Sequence, residues 1–221
     1  LFEYKEIPRP PFLPFVFSFA AKLEQVPPKD TLSDPNLLFK VQRNAQRLFR
    51  YDGVCVIFNT SLEAEACGCS VVWEKGMPKV LTHPLNEGLN VDEIQSIPIE
   101  KRGYVPTAFE AANRLKMVMG KDVALLAVIT GPLTFASHLK GPSFITHAKK
   151  HSEEFTELME EANRLLIKLC RKYCELGMDV IVIVEHMLGR LGAEGSNFIS
   201  PFLQTLSNVA KYYNAVSYTH L

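Results

Sequence analysis

Polar and acidic residues follow an apolar segment in the first third of the chain. Asn59 and Thr60 come first, and Glu63 and Glu65 stand just after them in a Glu-Ala-Glu-Ala run. A carboxylate here could serve as acid or base, and Asn59 and Thr60 could hydrogen-bond a substrate or cap the following turn. Spaced two apart, Glu63 and Glu65 point in different directions, so only one is expected to face a cavity. The alternative is that both acids stabilise a helix N-terminus.

Two further candidates come later in the chain. His138 follows a Gly-Pro pair at 131–132, and Glu185 comes directly after the apolar run at 180–184. We predict that His138 contacts substrate, although a structural histidine with satisfied hydrogen bonds explains it equally well. Glu63, Glu65, His138 and Glu185 are therefore the cavity candidates, and no catalytic role is assigned among them.

The five cysteines form neither a disulfide framework nor a clear metal pattern. Their number is odd and their spacing irregular, so reduced thiols in a cytoplasmic protein are expected. One residue separates Cys67 from Cys69, and without a second pair they are interpreted as small buried residues. Cys170 and Cys174 are one helical turn apart, which predicts a core face.

One histidine pair has the spacing of helical metal ligands. His147 and His151 are four residues apart. Ser152 is expected to cap the next helix, so the two histidines would straddle a helix boundary. We therefore predict no metal site in these 221 residues.

Apolar strands and amphipathic helices alternate around these candidates. Strands are predicted at 12–19, 54–58, 123–130 and 179–184, helices at 34–50, 107–119 and 152–177, and a hairpin at 70–82 that turns at Lys75-Gly76. Asp34 is the expected N-cap of the first helix, with Pro35 at its first position, and Gly177 the expected C-cap of the last.

Repeated strand–helix units predict a parallel α/β fold in one domain. A (β/α)8 barrel needs about 250 residues, so about four units would form only part of one; a doubly wound sheet is the alternative. We expect residues 1–214 to form the partial barrel. Residues 215–221 (AVSYTHL) show no structural pattern and are expected to be an artefactual or disordered tail, and Leu1 in place of an initiator methionine suggests a fragment.

Charge and hydropathy exclude several classes of protein. Twenty-four basic residues balance 24 acidic ones, and without a basic stripe no nucleic-acid partner is expected. The longest apolar runs, 123–129 and 180–184, are too short to span a bilayer. No signal peptide is predicted, so a cytoplasmic protein without a membrane partner is expected.

Three segments resemble the uroporphyrinogen decarboxylase superfamily. Residues 51–69 (YDGVCVIFNTSLEAEACGC) are similar to its second-strand signature, 129–136 (ITGPLTFA) to its Gly-Pro-x-Thr turn, and 176–184 (LGMDVIVIV) to its fourth strand. They occur in the family's order and extend over nearly the whole chain. The resemblance implies a TIM barrel of this type, reduced to about its first four units.

The superfamily contains decarboxylases and corrinoid methyltransferases. In decarboxylases, the resemblance implies first-strand arginines, an aspartate after the second strand and a tyrosine near the third. The matching segment 17–24 has no arginine, and Lys22 cannot replace bidentate guanidinium groups. Asn59 occupies the aspartate position and His138 the tyrosine position. These departures favour the methyltransferase branch, which the stretch 63–69 resembles more closely.

That branch implies methyl transfer between a corrinoid and a thiol such as coenzyme M, with a zinc-bound thiolate as nucleophile. Its zinc ligands are a His-x-Cys pair and a later Cys. No His-x-Cys occurs here, so the ligands are expected in a missing C-terminal part and the fragment alone is expected to be inactive. A small-molecule substrate and a corrinoid protein are the implied partners. The alternatives are a uroporphyrinogen decarboxylase of porphyrin biosynthesis, forming coproporphyrinogen III, and a noncatalytic corrinoid- or tetrapyrrole-binding protein.

Overall fold

Four parallel strands run through the middle of the protein in the order in which they occur in the chain. The computed structural model describes residues 9–145 and 153–220. Its strands are β1 (Gly53–Cys55), β2 (Val71–Glu74), β3 (Met77–Val80), β4 (Ala124–Thr130), β5 (Val180–Val184) and β6 (Val216–His220). The sheet has the order β1-β4-β5-β6 with every pair parallel, and β2 and β3 form a separate antiparallel hairpin.

Helices occupy most of the connections between these strands. They are α1 (Ser18–Leu23), α2 (Pro35–Phe49), α3 (Leu62–Ala66), α4 (Val105–Met119), α5 (Pro132–Lys140), α6 (Glu153–Glu175) and α7 (Gly192–Tyr212). Short 3-10 helices lie at Pro28–Leu32, Pro84–Asn86, Val91–Ser96, Ile99–Lys101 and Leu188–Arg190. Within the described ranges no helix has the length and apolar character that crossing a membrane requires.

Both faces of the sheet are buried, which explains the continuous apolar runs in its central strands. Ile129 and Ile183 belong to the large cluster that also contains the helices. Val128 and Val182, one residue earlier in each strand, belong to a second cluster, against which Leu13 packs. Helices therefore cover one face, and the chain segment before α1 contributes to the cover of the other.

Consecutive strand order separates the two fold alternatives. A doubly wound sheet reverses its strand order at a switch point, whereas a barrel adds each parallel strand beside the previous one. The order β1-β4-β5-β6 follows the second scheme. The described strands are therefore arranged as successive strands of a barrel wall.

The predicted helix ends are formed by the expected residues. The Asp34 side chain accepts a hydrogen bond of 2.8 Å from Asn36 N, with Pro35 at the first helical position. Gly177 has a φ of 80°, and its N–H donates to Cys174 O at 2.9 Å just after α6. These contacts confirm the predicted cap at Asp34 and the stop at Gly177, whereas the predicted cap Ser152 lies outside the described residues.

The predicted hairpin is confirmed. Lys75 and Gly76 both have positive φ, 52° and 81°, the combination that a two-residue turn needs to match the twist of its strands. Val72 is paired with Lys79 in the resulting ladder.

The prediction of a strand at 12–19 is wrong. Between residues 9 and 16, where the described chain begins, no strand is formed, and Ser18–Leu23 is helix α1. Pro10, Pro11 and Pro14 have no N–H to donate to a sheet, which explains why this apolar segment does not pair. The strand predicted at 54–58 is also shorter, because regular pairing ends at Cys55.

The expectation of disorder at 215–221 is not met over Val216–His220. These residues form β6, which pairs with β5 from Val180↔Val216 to Val184↔His220. Without β6, the edge of β5 would offer unpaired N–H and C=O groups. Pairing with β6 satisfies these groups. An artefactual origin of the tail stays a prediction.

Candidate functional site

A cleft of about 270 Å³ opens beside the carboxyl ends of the strands, between the β2–β3 hairpin and helix α5. Its polar lining includes Thr60, Ser61, Lys79, His83, His138 and His186. The carboxyl end of the strands is where barrel enzymes place their chemistry. We call this feature the histidine-lined cleft.

The three imidazoles of the cleft come from separate parts of the chain. The His83 Nδ1 lies 2.8 Å from the carbonyl oxygen of His138, so this nitrogen carries a hydrogen and donates. The ring centroids of His138 and His186 are 6.1 Å apart. The His138 Nδ1 is buried and has no hydrogen-bond partner within the protein. His138 thus has one ring nitrogen without a hydrogen-bond partner in the protein, and this nitrogen is shielded from solvent.

Burial keeps two of these imidazoles, His138 and His186, neutral. Burial first, and then the neighbouring His186 and His83, lower the pKa of His138 to about 4. Burial and the nearby Arg190 also lower the pKa of His186. Lys79 is the charged side chain among the described lining residues, and it is 62% exposed. The cleft therefore offers hydroxyl groups, the neutral imidazoles of His138 and His186, and the solvated cation of Lys79.

Glu63 lies behind the cleft and does not line it. The residue is 1% exposed. Its Oε1 accepts a hydrogen bond of 3.0 Å from Thr130 N, and its Oε2 lies 2.6 Å from Thr130 Oγ1. The same hydroxyl is 3.0 Å from the carbonyl oxygen of Thr60. Burial raises the pKa of Glu63, although the hydrogen bonds from Thr130 oppose this.

Glu185 caps the N-terminus of α5 from the end of the neighbouring strand. Its Oε2 accepts from Leu133 N at 2.8 Å, and its Oε1 accepts from Thr134 N at 2.9 Å and from the Thr134 hydroxyl. A Cβ at Gly131 would collide with this carboxyl, which explains the glycine. Burial raises the pKa of Glu185 to about 7, against the lowering effect of these donors.

Asn59 shapes the loop after β1. Its Oδ1 accepts from both Ser61 N and Ser61 Oγ at 2.8 Å, while its buried Nδ2 has no partner in the protein. Glu65 is half-buried. Burial raises its pKa, and Lys29 opposes the shift. Glu65 is not among the lining residues of the cleft.

Of the residues selected from the sequence, the structure brings Thr60 and His138 together at the cleft. Glu63, Glu185 and Asn59 instead hold the segments that form its wall. Sequence reasoning missed the other polar lining residues, namely Ser61, Lys79, His83, Ser137 and His186. The position of His186 directly after Glu185, at a strand end, was the available signal for it.

The described residues do not fit a zinc ion. In the ranges 9–145 and 153–220 no group of three or more His, Cys, Asp or Glu side chains is arranged to hold a metal. Burial raises the pKa of Cys67 and of Cys69 to about 12, so both are neutral thiols and poor ligands. His147 and His151 lie outside the described residues.

Comparisons with known proteins agree on one family. The profile of the uroporphyrinogen decarboxylase (URO-D) family matches residues 1–220. Methylcobamide:CoM methyltransferase MtbA of Methanosarcina mazei is 22% identical over 155 residues, 69% of this chain and 45% of that protein. Methylcobamide:CoM methyltransferase MtaA of Methanosarcina barkeri is 24% identical over 156 residues, 69% of this chain and 46% of that protein. The match therefore spans less than half of these curated relatives.

A solved structure supports the fold independently. A methyltransferase from Methanosarcina mazei superimposes with a TM-score of 0.83 at 21% identity, over 99% of this chain and 66% of that one. At this identity the likeness concerns the fold. It confirms the predicted α/β barrel architecture, of which the described chain forms a part.

Proposed function

Since the chain belongs to the uroporphyrinogen decarboxylase family, we propose that it is part of a cytoplasmic enzyme that transfers a methyl group between a corrinoid and a thiol. The names of the relatives MtbA and MtaA support this branch. The observation that carries the proposal is the histidine-lined cleft at the strand ends, whose described lining contains three histidines, hydroxyl groups and Lys79 but no carboxylate and no arginine.

The cleft is poorly suited to uroporphyrinogen, which carries eight carboxylates. Binding such a substrate calls for guanidinium groups, and the described lining contains none. The cleft volume of about 270 Å³ lies below the range of about 300–1,000 Å³ typical of ligand pockets. Asn59 replaces the expected aspartate and its amide oxygen is occupied by Ser61. A small acceptor fits these features better than a tetrapyrrole.

We assign the binding of the acceptor to Thr60, Ser61 and His138. The Thr60 hydroxyl can donate to or accept from a polar group, and the Ser61 hydroxyl, whose hydrogen is donated to Asn59, can accept. The His138 ring also lines the cleft. With a pKa of about 4, His138 would take a proton from a thiol of pKa about 8.5 only at a cost of about 6 kcal/mol. His138 therefore orients the acceptor by hydrogen bonding and does not act as the base.

Zinc, if the enzyme uses it, requires ligands beyond the described residues. A bound zinc ion would supply a thiolate at neutral pH. Because the described side chains do not fit it, the steps we assign to this chain are binding, orientation and exclusion of water. The methyl donor would be a corrinoid carried by a partner protein.

The test is an assay of the full-length protein with methylcobalamin and coenzyme M. We expect loss of the methyl–cobalt absorbance and formation of one methyl thioether per methyl group lost. The His138→Ala variant should lower turnover by about tenfold or more, the scale expected when a substrate-positioning contact is lost. Lys172→Ala on α6, where the lysine side chain is 42% exposed, serves as the surface control.

Two outcomes would overturn this function. Conversion of uroporphyrinogen to coproporphyrinogen would identify a decarboxylase. Binding of cobalamin without methyl turnover, with every thiol supplied, would identify a noncatalytic corrinoid-binding protein.

A further inference from the structure

A chain of hydrogen bonds leads from Glu63 to the histidine-lined cleft. The carboxyl contacts Thr130 twice, through Oε1 to the backbone N–H at 3.0 Å and through Oε2 to Oγ1 at 2.6 Å. The Thr130 hydroxyl then reaches the carbonyl oxygen of Thr60 at 3.0 Å. Thr60 lines the cleft. Glu63 on α3 is thus connected to the cleft through the last residue of β4.

The number of hydrogens available to this series of hydrogen bonds distinguishes the ionised from the protonated state of Glu63. The Thr130 hydroxyl has one hydrogen, but oxygens of Glu63 and Thr60 both lie within hydrogen-bond distance of it. With Glu63 ionised, the hydroxyl serves one oxygen and leaves the other contact without a hydrogen. With Glu63 protonated, Glu63 donates to Thr130, Thr130 donates to Thr60, and every contact has one hydrogen.

The surroundings of Glu63 also favour the neutral form. Its described hydrogen bonds are to Thr130, and no lysine, arginine or histidine forms a described ion pair with it. The titratable groups facing it are Cys67 at the end of its own helix and Tyr173 from α6. Burial raises the pKa of both, so both are neutral. An ionised carboxylate without a cation is costly in such an environment.

We propose that Glu63 is a neutral carboxylic acid in the folded protein at neutral pH and that, through Thr130, it holds Thr60 in place at the cleft. Glu63 is a positioning residue because it acts through another side chain and does not touch the cleft. The neutral state of Glu63 is inferred from its hydrogen bonds and surroundings, whereas its effect on methyl transfer rests on the function proposed above.

Infrared difference spectroscopy of the full-length protein tests the protonation. A protonated carboxyl gives a C=O band that is separate from carboxylate bands and shifts in D2O. Above the pKa of Glu185, which is about 7, we expect the wild-type protein to keep such a band. The band should be absent from Glu63→Gln and present in Glu65→Gln, the matched variant two residues away on α3.

Three results would contradict the proposal that Glu63 is protonated. The wild-type spectrum could lack the band, Glu63→Gln could retain it, or Glu65→Gln could lose it. If Glu63→Gln does not fold, Thr130→Val provides a second measurement. Loss of the hydroxyl removes the acceptor of the Glu63 proton, so the band should move to higher frequency, and an unshifted band would contradict the proposed contact.

Methyl-transfer kinetics test the positioning role. Glutamine reproduces the neutral acid, because its oxygen can accept from Thr130 N and its amide can donate to Thr130 Oγ1. We expect Glu63→Gln to keep kcat within about twofold and to leave the pH–rate profile unchanged. Glu63→Ala should raise KM for the thiol by about tenfold, the scale of a lost positioning contact, with less effect on the corrinoid KM.

These readouts separate the two proposals. An infrared band without any methyl turnover would leave the neutral Glu63 intact and reject the methyltransferase function. Turnover in which Glu63→Ala matches the wild type would reject the positioning role alone. A change of the pH–rate profile in Glu63→Gln would show that Glu63 titrates during turnover and would overturn the neutral state.

Discussion

The three carboxyls near the strand ends differ in what surrounds them, although they share a residue type. Glu185 is enclosed by the start of α5 and is 0% exposed. Glu63 is hydrogen-bonded to Thr130, and Glu65, on α3, is half-buried. Because the first two hold the walls of the cleft, their ionisation affects the stability of the site and not the chemistry within it. Stability measured against pH is therefore an informative observable at this scale.

Glu185 gives the clearest prediction of this kind. Its folded-state pKa of about 7 lies above its ordinary value of 4.5. Its stabilising contribution is therefore fully present below pH 4.5 and is lost as the pH rises to about 7. The difference amounts to about 3 kcal/mol in the free energy of unfolding. We expect Glu185→Gln to lack this loss when unfolding is followed in urea at several pH values.

The difference between wild type and variant is the quantity to measure, because His138 acts in the opposite sense. Its folded-state pKa of about 4 lies below the ordinary 6.5, so its contribution is present above pH 6.5 and is lost as the pH falls. Exposed Glu157→Gln on α6 is the control. Parallel pH profiles for wild type and Glu185→Gln would show that the pKa of Glu185 is the same in the folded and unfolded states, and would contradict the prediction.

At the scale of elements, the β2–β3 hairpin forms one wall of the cleft through Pro78, Lys79 and Val80. The hairpin depends on its turn, in which Gly76 has a φ of 81°. A side chain at that φ is strained. The shape of the cleft is therefore coupled to the conformation of one glycine outside it.

We expect Gly76→Ala to destabilise the hairpin by about 1–2 kcal/mol, the cost of the left-handed conformation for a residue with a Cβ. Because the hairpin lines the cleft, the thiol KM should rise. Expressed as a free energy (RT ln of the KM ratio), this rise should exceed the fall in the global free energy of unfolding. Gly189→Ala is the control, since a Cβ there meets no atom within 4 Å and its φ is not positive. Equal effects of Gly76→Ala and Gly189→Ala on the thiol KM would show that the hairpin does not contribute to acceptor binding.

Sequence patterns predicted the elements better than the site. Strands β4 and β5 were predictable because burial on both faces produces continuous apolar runs, and α2 because Asp34 and Pro35 mark its start. The strand predicted at 12–19 was wrong because the prediction relied on the apolar residues of this segment and not on its prolines, which cannot donate to a sheet. The direction of Glu63 could not be predicted, since it depends on Thr130, 67 residues away. The histidines of the cleft likewise come from segments that only the fold brings together.

At the scale of the whole molecule, the described sheet pairs each of its outer strands on one side only. β1 pairs with β4, and β6 pairs with β5, among the described residues. Val216 and Tyr218 on β6 are 38% and 48% exposed. Unpaired strand edges with apolar side chains promote association between chains.

We therefore expect the 221-residue chain, expressed by itself, to self-associate in a concentration-dependent manner. Light scattering coupled to size-exclusion chromatography would measure this. Charges on an edge strand oppose edge-to-edge pairing, so the double substitution Val216→Lys and Tyr218→Lys should shift the chain towards monomer. Leu48→Lys, at a residue that is 65% exposed on α2, tests whether any removal of exposed apolar surface has the same effect. A wild-type chain that is monomeric and unfolds cooperatively at every concentration would show that its edges need no further partner.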